Sequence, residues 1–421
     1  MHNINKIYED KDKFLQKLNK RGVDYTNEIN LIEKDNIKRK KLILKIEKVK
    51  AKKNELSRII PKYIKNGKED EIENIKKQIN LLNNSIEKED KHLNKLITDI
   101  NKKLSYFPNI VDDSTPNGND ENDNIEVYRW EGDGYKKNNF DHSEIAIKFG
   151  LIDFKKGVKL SGSRFVLYTN KGSKLVRVIT DLLLEQNSIA GYEEQWMPLV
   201  VNKEMMYGTS NLPKFEDDAF KTIDNQYLIP TSEVVLTNLK KDEIINITEL
   251  PIKYTGFSQC FRKEAGSAGR DTKGIIRLHQ FNKVELVKIT HPNESFNELE
   301  SMVSDVKKIL KLFKIPFRLL SLCSGDLGFA STKTYDFEIW MANQQKFREI
   351  SSCSNCLDFQ ARRINLKFRD DDNKLKLAHS LNGSCLAIDR LIAAIIEYYY
   401  DGVNLVIPDI LRKYFNNDKY F

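Results

Sequence analysis

The apolar residues of the first hundred positions recur at alternating spacings of three and four. Eight of nine such positions between residues 72 and 100 are apolar, which is a heptad seam sustained for four repeats. A rougher version of the pattern precedes it, and Pro61 and Asn66-Gly67 lie between the two as turn or breaker signals. The pattern predicts an antiparallel helical coiled-coil hairpin from Asn27 to about Ser105. The seam positions are Ile72, Ile75, Ile79, Leu82, Ile86, Glu89, Leu93, Leu96 and Ile100.

The pattern changes twice after the hairpin. Residues 107–124 are rich in Pro, Asn, Asp and Gly, which is typical of a linker. Strand-like and helix-like runs then mix without strict βαβ alternation, and this indicates an α+β fold with an antiparallel sheet flanked by helices. The sequence therefore predicts an arm at 1–106, a linker at 107–124 and a second domain at 125–421. Predicted strands are Glu194–Val201, Glu243–Thr248, Gly274–Lys288, Tyr335–Met341 and Arg348–Ser351, and predicted helices are Ser173–Ala190, Asn293–Phe313 and Leu386–Tyr400.

Length and composition narrow the class of protein. A chain of 421 residues with 40% hydrophobic and 31% charged residues allows two or three globular domains. No run of 18 apolar residues and no charged-then-apolar leader is visible, so we expect neither a membrane span nor a secretion signal. Five irregularly spaced cysteines argue against a disulfide framework and predict a cytoplasmic location.

The positive charge is concentrated in one segment. Residues 31–104 contain 21 Lys and Arg against 12 Asp and Glu, a balance of +9, whereas the whole chain carries +8. The rest of the chain therefore carries 8 − 9 = −1. Such a concentration is expected of a surface that binds a polyanion. An oligomerisation coiled coil with a solvated lysine-rich face explains the same pattern.

The segment Phe261–Glu285 has the strongest chemical signal. It reads FRKEAGSAGRDTKGIIRLHQFNKVE, in which Phe-Arg-x-Glu is followed by a glycine-rich basic loop and an alternating strand. Two antiparallel strands joined by this loop would put Arg262, Glu264 and Glu285 on one face of a sheet. A fixed guanidinium beside carboxylates suits the clamping of ATP against a carboxylate substrate.

This segment resembles motif 2 of class II aminoacyl-tRNA synthetases and, in this detailed form, seryl-tRNA synthetases. The resemblance implies that Arg262 bridges the α-phosphate and the amino-acid carboxylate. It implies that Glu264 accepts a hydrogen bond from the adenine amino group and that adenine stacks on Phe281. Lys263 would belong to the same ATP-binding strand end. The loop residues Arg270 and Lys273 would reach the acceptor end of a tRNA.

A second segment, LNGSCLAIDRLIAAIIE at 381–397, resembles motif 3 of the same family. The resemblance implies that Arg390 stacks on the other face of adenine and meets the γ-phosphate, and that Ser384 lies near the substrate. Two positions depart from the usual small residues of this pattern, namely Cys385 and Asp389. Asp389 would either compete for the Arg390 guanidinium or point to solvent.

A third segment, LIPTSEVVLTNL, contains Thr231-Ser232-Glu233 and resembles the loop that receives the substrate amino group in seryl-tRNA synthetases. A carboxylate and hydroxyls are suitable partners for an ammonium group. With Glu285 and Ser384, these residues would form a polar cup for serine. A cup of this kind rejects alanine because buried polar groups would be left unpaired, and it rejects threonine for lack of room.

A fourth segment begins with Glu349-Ile350-Ser351-Ser352, where the family has ATP contacts. Glu349 and Ser352 would hold a Mg²⁺ ion that bridges the phosphates, since hard cations prefer oxygen ligands. We expect no zinc, because the adjacent C-x-x-C stands alone and a tetrahedral site needs four ligands. Buried thiols are the expected alternative.

The resemblance covers nearly the whole chain and implies a complete activity. The protein would activate L-serine with ATP and transfer it to tRNA(Ser), using the arm to grip the tRNA, and it would form a homodimer through a motif 1 segment at Val176–Val201. Whether tRNA(Sec) is also an acceptor stays open. The rivals are a homologue that loads a carrier protein, which would lack a full arm, and a non-catalytic homologue, which would have lost the motif residues.

Overall fold

The computed structural model describes residues 1–265 and 273–421 and divides into two compact units. The helical unit comprises residues 2–19 and 23–107. The larger unit comprises residues 1, 20–22 and 108–421. In these described residues, no helix is long and apolar enough to cross a membrane.

The helical unit contains a long hairpin, as the heptad pattern predicts. Its helices are α1 (Ile4–Glu9), α2 (Lys11–Asn19), α3 (Thr26–Lys65) and α4 (Glu69–Leu104). All nine seam positions of α4 are buried or half-buried, and Lys45 of α3 lies 2.5 Å from Glu89 of α4. Pro61 does not end the helix, as its breaker signal suggested, but lies inside α3. The turn follows at Asn66 and Gly67, where glycine has a φ of +65°.

The first two helices were not predicted from the sequence. Ile7, Leu15 and Leu18 are buried, and the Tyr8 hydroxyl donates to the Ile29 carbonyl of α3 over 2.9 Å. The two short helices therefore pack against the base of the hairpin. Helices of six and nine residues carry too few turns for a periodic signal.

The larger unit is an α+β structure. Its helices are α5 (His142–Lys148), α6 (Phe154–Ser161), α7 (Asn170–Ile189), α8 (Lys203–Gly208), α9 (Glu233–Asn238), α10 (Ser295–Leu312), α11 (Phe359–Arg363), α12 (Ile388–Tyr399) and α13 (Asp409–Arg412). Its strands are β1 (Ile125–Trp130), β2 (Ile152–Asp153), β3 (Leu167–Tyr168), β4 (Glu193–Glu194), β5 (Val200–Val201), β6 (Tyr227–Leu228), β7 (Ile244–Asn246), β8 (Ile252–Phe261), β9 (Gln280–Thr290), β10 (Phe317–Ser321), β11 (Lys333–Met341), β12 (Lys346–Asn355), β13 (Lys367–Arg369), β14 (Leu375–Leu377) and β15 (His379–Ala387).

An eight-stranded sheet organises this unit. Its strand order is β1-β10-β11-β12-β15-β9-β8-β4, and all neighbours are antiparallel except β4 and β8. Helices α7, α10 and α12 supply apolar residues to one core with strands β9, β11, β12 and β15. α12 has ten buried residues among its twelve, so it lies within the core rather than on its surface. The other face of the sheet is left for polar residues.

Two predicted strands differ from the sequence expectation. The strand expected at Glu194–Val201 is reduced to the two-residue strands β4 and β5, and the one expected from Gly274 begins only at Gln280. Residues of the predicted linker from position 108 onward belong to the larger unit and pack within it. Val111 is buried with Leu320 and Leu322, and the Asn109 amide donates to the Cys356 carbonyl over 2.9 Å.

Candidate active site

Strand β9 separates the core of the larger unit from its polar face. Val284 and Leu286 pack in the core with α7, α10 and α12, so the alternation of a strand turns Lys283 and Glu285 to the opposite face. A cavity of about 640 Å³ opens there. It brings together the predicted residues Thr231, Glu233, Arg262, Glu264, Glu285, Glu349, Ser352 and Ser384.

Glu233, at the start of α9, forms one wall of the cavity. Its Oε1 accepts hydrogen bonds from Gln360 Nε2 over 2.6 Å and from Asn382 Nδ2 over 2.9 Å. Burial, and then the nearby charge of Glu285, raise the pKa of Glu233 to about 7. This carboxyl group is therefore poised to change its charge near neutral pH.

Glu285 faces Glu233 and is paired with a lysine. Lys283 Nζ lies 2.5 Å from Glu285 Oε2 and donates to Thr231 Oγ1 over 2.8 Å. Lys283 and Glu285 are 6% and 2% exposed, respectively, so their charges are compensated within the protein rather than by water.

The two serines predicted in the cup lie differently. Ser384 lines the cavity and stands opposite Glu285 in the register of β15 and β9. Ser232 is fully buried, and its hydroxyl shares a 2.7 Å hydrogen bond with that of Ser258. The Ser232 side chain therefore does not line the cavity among the described residues.

Arg262 follows directly after the end of β8. Its Nε donates to the Pro230 carbonyl over 3.2 Å, and its guanidinium carbon lies 5.1 Å from the centroid of the Phe281 ring. The His279 Nδ1 lies 3.0 Å from the Arg262 carbonyl oxygen. These contacts hold the guanidinium at the edge of the cavity, beside the aromatic ring.

Glu264 does not lie on a strand with Arg262, contrary to the sequence expectation. β8 ends at Phe261, and Glu264 adopts a left-handed backbone with a φ of +53°. Its carboxylate pairs instead with Arg277 Nε at 3.3 Å. The chain leaves the sheet because the Lys263 amide donates to the Asp218 carbonyl over 2.8 Å. The Lys263 side chain is exposed and lies 5.9 Å from the ring of Phe220.

A smaller pocket of about 80 Å³ borders the main cavity and contains Phe281 and Arg390. Arg390, in the first turn of α12, donates to the Glu349 carbonyl over 2.7 Å and pairs with its carboxylate at 3.2 Å. It also donates through Nε to the Ile276 carbonyl over 3.2 Å. The Arg390 charge lowers the pKa of Glu349. Both predicted arginines therefore line this pocket together with Phe281.

Asp389 takes neither of the two positions expected for it. It is 3% exposed, accepts the Tyr168 hydroxyl at 2.5 Å, and accepts the Asn282 backbone amide at 2.5 Å. Burial raises the pKa of Asp389, although these hydrogen bonds oppose the effect. The carboxyl group therefore ties the start of α12 to β9 and leaves the Arg390 guanidinium to other partners.

A bulge in β12 explains how Glu349 and Ser352 share one face despite a spacing of three. Glu349 is paired with Glu338 and Ser351 with Phe337, so Ile350 is the extra residue. Ile350 is 1% exposed, and it borders the smaller pocket. The Ser351 hydroxyl donates to the Ser384 carbonyl over 2.5 Å.

The same face of β11 and β12 has oxygen donors that fit a hard cation. Asp336 stands opposite Ser352, and its Oδ1 is buried without a hydrogen-bond partner among the described residues. Burial and the Glu349 charge raise the pKa of Asp336 well above its usual value. Within residues 1–265 and 273–421, no three His, Cys, Asp or Glu side chains form a metal-binding group. A Mg²⁺ ion here would therefore take most of its ligands from phosphate and water, as Mg²⁺ commonly does.

The remaining predicted residues have other positions. Cys353 and Cys356 are fully buried, and burial raises the pKa of both thiols. Lys273 pairs with Asp141 and, at 3.5 Å, with Glu144. Arg270 lies outside the described residues.

Four site residues were missed in the sequence. Lys283 could have been found, because it lies two positions before Glu285 on the same strand and so shares its face. Asn382 has the same relation to Ser384. Arg277 and Gln360 carry no such signal, because their pairing with Glu264 and Glu233 depends on the tertiary fold.

Two family models match this chain. The tRNA synthetase class II core domain (G, H, P, S and T) matches residues 214–399, and the seryl-tRNA synthetase N-terminal domain matches residues 1–111. The chain belongs to the seryl-tRNA synthetase family. The family contains relatives that are similar over their whole length. The serine–tRNA ligase of Mesoplasma florum is 51% identical over 420 residues, and that of Mycoplasma mycoides subsp. mycoides is 52% identical over 421, each covering 100% of both chains.

Solved structures of family members share the fold. The seryl-tRNA synthetase of Pyrococcus horikoshii complexed with ATP has a TM-score of 0.90 at 32% identity and covers 100% of this chain and 99% of its own. The cytoplasmic serine–tRNA ligase of Naegleria fowleri in complex with AMP has a TM-score of 0.86 at 25% identity, covering 99% and 98%. The predicted helical arm followed by an antiparallel class II domain is therefore confirmed.

Proposed function

We infer that this chain is a serine–tRNA ligase, an ATP-dependent enzyme that forms seryl-adenylate and pyrophosphate and then transfers serine to the 3′ end of tRNA(Ser). The inference rests on family membership over the full chain length. One structural observation supports serine as the substrate, namely a polar cup in a cavity that also contains Arg262. The cup residues are Thr231, Glu233, Glu285 and Ser384. The roles of individual residues below are our proposals.

We propose that the cup binds serine through its ammonium and hydroxyl groups. The Glu233 carboxylate and the Thr231 hydroxyl would receive the ammonium, and Glu285 with Ser384 would bond the serine hydroxyl. Gln360 and Asn382 hold the Glu233 carboxylate. Alanine would leave these buried groups unpaired, which costs about 1–3 kcal/mol for each. The cup would therefore discriminate by hydrogen bonding rather than by size alone.

Arg262 would stabilise the adenylation step. The serine carboxylate is already ionised, so its oxygen attacks the α-phosphorus of ATP without a general base. The bond to pyrophosphate breaks with its electron pair, and negative charge grows on the equatorial oxygens. A guanidinium that bonds both the carboxylate and the α-phosphate stabilises this charge. The contacts of Arg262 with Pro230 and Phe281 support this role because they fix the group before substrate binds.

The smaller pocket would bind the adenosine part of ATP. Adenine would stack on Phe281, with the Arg390 guanidinium on its other face, and Glu264 would accept a hydrogen bond from the adenine amino group. The Arg277 pair with Glu264 supports the role of Glu264, because it holds that carboxylate in place at the pocket that both residues line. Lys263 and Ser351 would contribute main-chain contacts, since the Lys263 side chain lies beside Phe220 and the Ser351 hydroxyl donates to the Ser384 carbonyl. Ile350 would contact the nucleotide where it borders the pocket.

Glu349 and Ser352 would hold Mg²⁺ with the ATP phosphates. The shared face that the bulge gives them and the unbonded buried oxygen of Asp336 support this assignment. The ion supplies charge neutralisation of the phosphates when it is bound. The Glu349 carboxylate also pairs with Arg390 and so holds the guanidinium in place. Glu349 would therefore serve both the arginine and the ion.

The arm would bind tRNA(Ser) through phosphate contacts from its lysine-rich helices. We also predict that the protein is located in the cytoplasm and does not associate with membranes, which cell fractionation would test. Whether tRNA(Sec) is a second acceptor is decided by assaying both transcripts with the same enzyme. The heptad arm supports a tRNA acceptor over a carrier protein, since a loader of carrier proteins needs no such arm.

A homodimer through α7 and the edge strand β4 is the expected assembly. Trp196 and Ile189 are 85% and 74% exposed at this edge, and large exposed apolar groups favour an interface. Sedimentation velocity should give a particle of twice the 49.0 kDa chain mass, and Trp196→Asp should shift it toward the monomer. A wild-type monomer at micromolar concentration would contradict the assembly.

The pH dependence of serine activation should follow Glu233. Because its pKa is raised to about 7, the fraction ionised in the free enzyme rises from about one-tenth at pH 6 to nine-tenths at pH 8. Only the ionised form attracts an ammonium, so kcat/KM for serine should rise about tenfold over this range. Glu233→Gln should lower kcat/KM and remove the pH dependence. An unchanged profile in that variant would assign the titration to another group.

The deciding experiment is ATP–pyrophosphate exchange with serine, threonine, alanine and glycine as parallel substrates. We expect exchange with serine, no more than about one per cent of that rate with the others, and none after Mg²⁺ is chelated. Exchange with a different amino acid would keep the adenylation chemistry and reject the serine cup. The absence of exchange in a folded protein would favour a non-catalytic homologue.

A further inference from the structure

His142 and Glu397 form a buried pair that the proposed mechanism does not use. Their side chains are 4% and 0% exposed, and Nδ1 of the histidine lies 2.8 Å from Glu397 Oε1. Glu397 Oε2 accepts the Asn343 backbone amide over 2.9 Å. His142 is the first residue of α5 and lies in the part of the chain between the two family-model matches. A buried ionisable pair next to an active site requires an explanation.

The hydrogen bonds fix the tautomer of His142. The Ile275 backbone amide donates to His142 Nε2 over 3.1 Å, so Nε2 must be an unprotonated acceptor. The proton of the ring is therefore on Nδ1, where it is donated to Glu397. The carboxylate holds the ring in the one tautomer and orientation that can accept from Ile275.

The fit between His142 and the segment after residue 272 is also steric. A Cβ on Gly274, which has a φ of +76°, would lie 1.9 Å from His142 Nε2. Lys273 pairs with Asp141, the residue that caps α5, and with Glu144 of the same helix. The start of α5 thus holds three consecutive residues of this segment, which we name the return segment (residues 273–276).

The return segment meets α12 at two places. The first link is indirect, because His142 bonds both Ile275 and Glu397. The second is direct, because the Ile276 carbonyl accepts a hydrogen bond from Arg390 Nε over 3.2 Å. Arg390 and Glu397 lie on the same helix, two turns apart. A shift of Ile275 would therefore move the carbonyl that orients the Arg390 guanidinium, and with it one wall of the smaller pocket.

We propose that His142, oriented by Glu397, is a positioning residue for ATP, because it fixes the return segment and thereby the guanidinium of Arg390. The inference rests on the proposed role of the smaller pocket in binding ATP. It concerns ATP and not serine, since the cup residues Glu233 and Glu285 make no contact with this pair among the described residues. Loss of the His142 acceptor should thus raise the KM for ATP selectively.

Two substitutions of His142 separate its two hydrogen bonds. His142→Asn keeps a donor near the Nδ1 position but has no acceptor that reaches Ile275. His142→Gln puts an amide oxygen near the Nε2 position and keeps that acceptor. We expect the KM for ATP in pyrophosphate exchange to rise at least fivefold in the asparagine variant and less than twofold in the glutamine variant. The KM for serine should change less than twofold in both.

Tyr398→Phe is the matched control, because Tyr398 is next to Glu397 on α12 and the substitution removes one partly buried hydrogen bond, to the Gly134 carbonyl at 2.7 Å. It should leave both KM values unchanged. Gly274→Ala supplies an independent test that keeps both ionisable side chains, because its added methyl group would meet His142 Nε2 and push it away from Ile275. It should raise the KM for ATP as His142→Asn does. Equal increases in both KM values, or none, would overturn the proposal.

Hydrogen exchange gives a readout that does not depend on activity. The Ile275 amide should exchange at least tenfold faster in His142→Asn than in the wild type, and near the wild-type rate in His142→Gln. Unchanged exchange at Ile275 would refute the positioning role even in an active enzyme. A wild-type protein without serine-dependent pyrophosphate exchange would instead refute the proposed function. The hydrogen-exchange rate of the Ile275 amide would still test the hydrogen bond to His142.

Discussion

Replacement of Arg262 by alanine is expected to abolish serine-dependent pyrophosphate exchange. The guanidinium is the group in the cavity that would bond both the substrate carboxylate and the α-phosphate. Loss of one donor to a developing oxyanion costs roughly 10²–10³ in rate, so two simultaneous interactions predict a reduction of at least about a thousandfold. Steady-state exchange at saturating serine and ATP measures it.

Stability should change little in this variant. Arg262 is half-buried, and its side chain donates to the Pro230 carbonyl at the edge of the cavity, so the thermal midpoint should stay within a few degrees of the wild type. Arg262→Lys should recover only a small part of the activity, since an ammonium lacks the bidentate geometry. Arg129→Ala, at an exposed arginine on β1, is the control for removal of a surface charge. An Arg262→Ala enzyme that retains exchange would disprove the motif 2 assignment.

Shortening of the hairpin is expected to separate serine activation from tRNA charging. Joining residue 46 to residue 88 through a short Gly-Ser turn removes the outer hairpin but keeps the Lys45–Glu89 pair and the packing of α1 and α2. Pyrophosphate exchange should stay within twofold of the wild type. Charging of tRNA(Ser) should fall roughly a hundredfold in kcat/KM, which is about 2.8 kcal/mol and is on the scale of a few phosphate interactions.

The salt dependence distinguishes binding from misfolding in this experiment. A shortened arm that meets fewer phosphates should make log kcat/KM for tRNA fall less steeply with log salt concentration, by about one unit of slope for each phosphate that is no longer bound. A shortened arm with neutral Gln substitutions at the remaining exposed lysines should lower the slope further. Undiminished charging by the shortened enzyme would mean that the arm serves another purpose, such as assembly.

The parts of this structure that could be predicted from the sequence are those with a local period. The heptad seam of α4 predicts the hairpin because each seam residue faces the same partner helix. The alternation of β9 relates Glu285 to Lys283 in the same way, although the motif points only to the glutamate. The motifs point to Arg262 and Arg390 as ATP-binding residues, and the structure puts both in the lining of the smaller pocket, while their role toward ATP stays a prediction.

The features that could not be predicted depend on tertiary contacts. Glu264 was expected on a strand, but the Lys263 amide bonds to Asp218, which is distant in sequence, and this ends the ladder. Asp389 was expected near solvent or Arg390, yet Tyr168 and Asn282 satisfy it inside the fold. Partners of this kind have no fixed spacing along the chain.

The bulge in β12 also protects the fold against a slipped strand. If Ile350 joined the ladder, Glu349 would exchange places with it and enter the apolar core that contains Ile339 and Met341. Burying that carboxylate without a partner would cost at least several kcal/mol, comparable to the whole stability of a domain. The Glu349 carboxylate thus also selects the strand register during folding, because only one pairing of β11 with β12 leaves it in water.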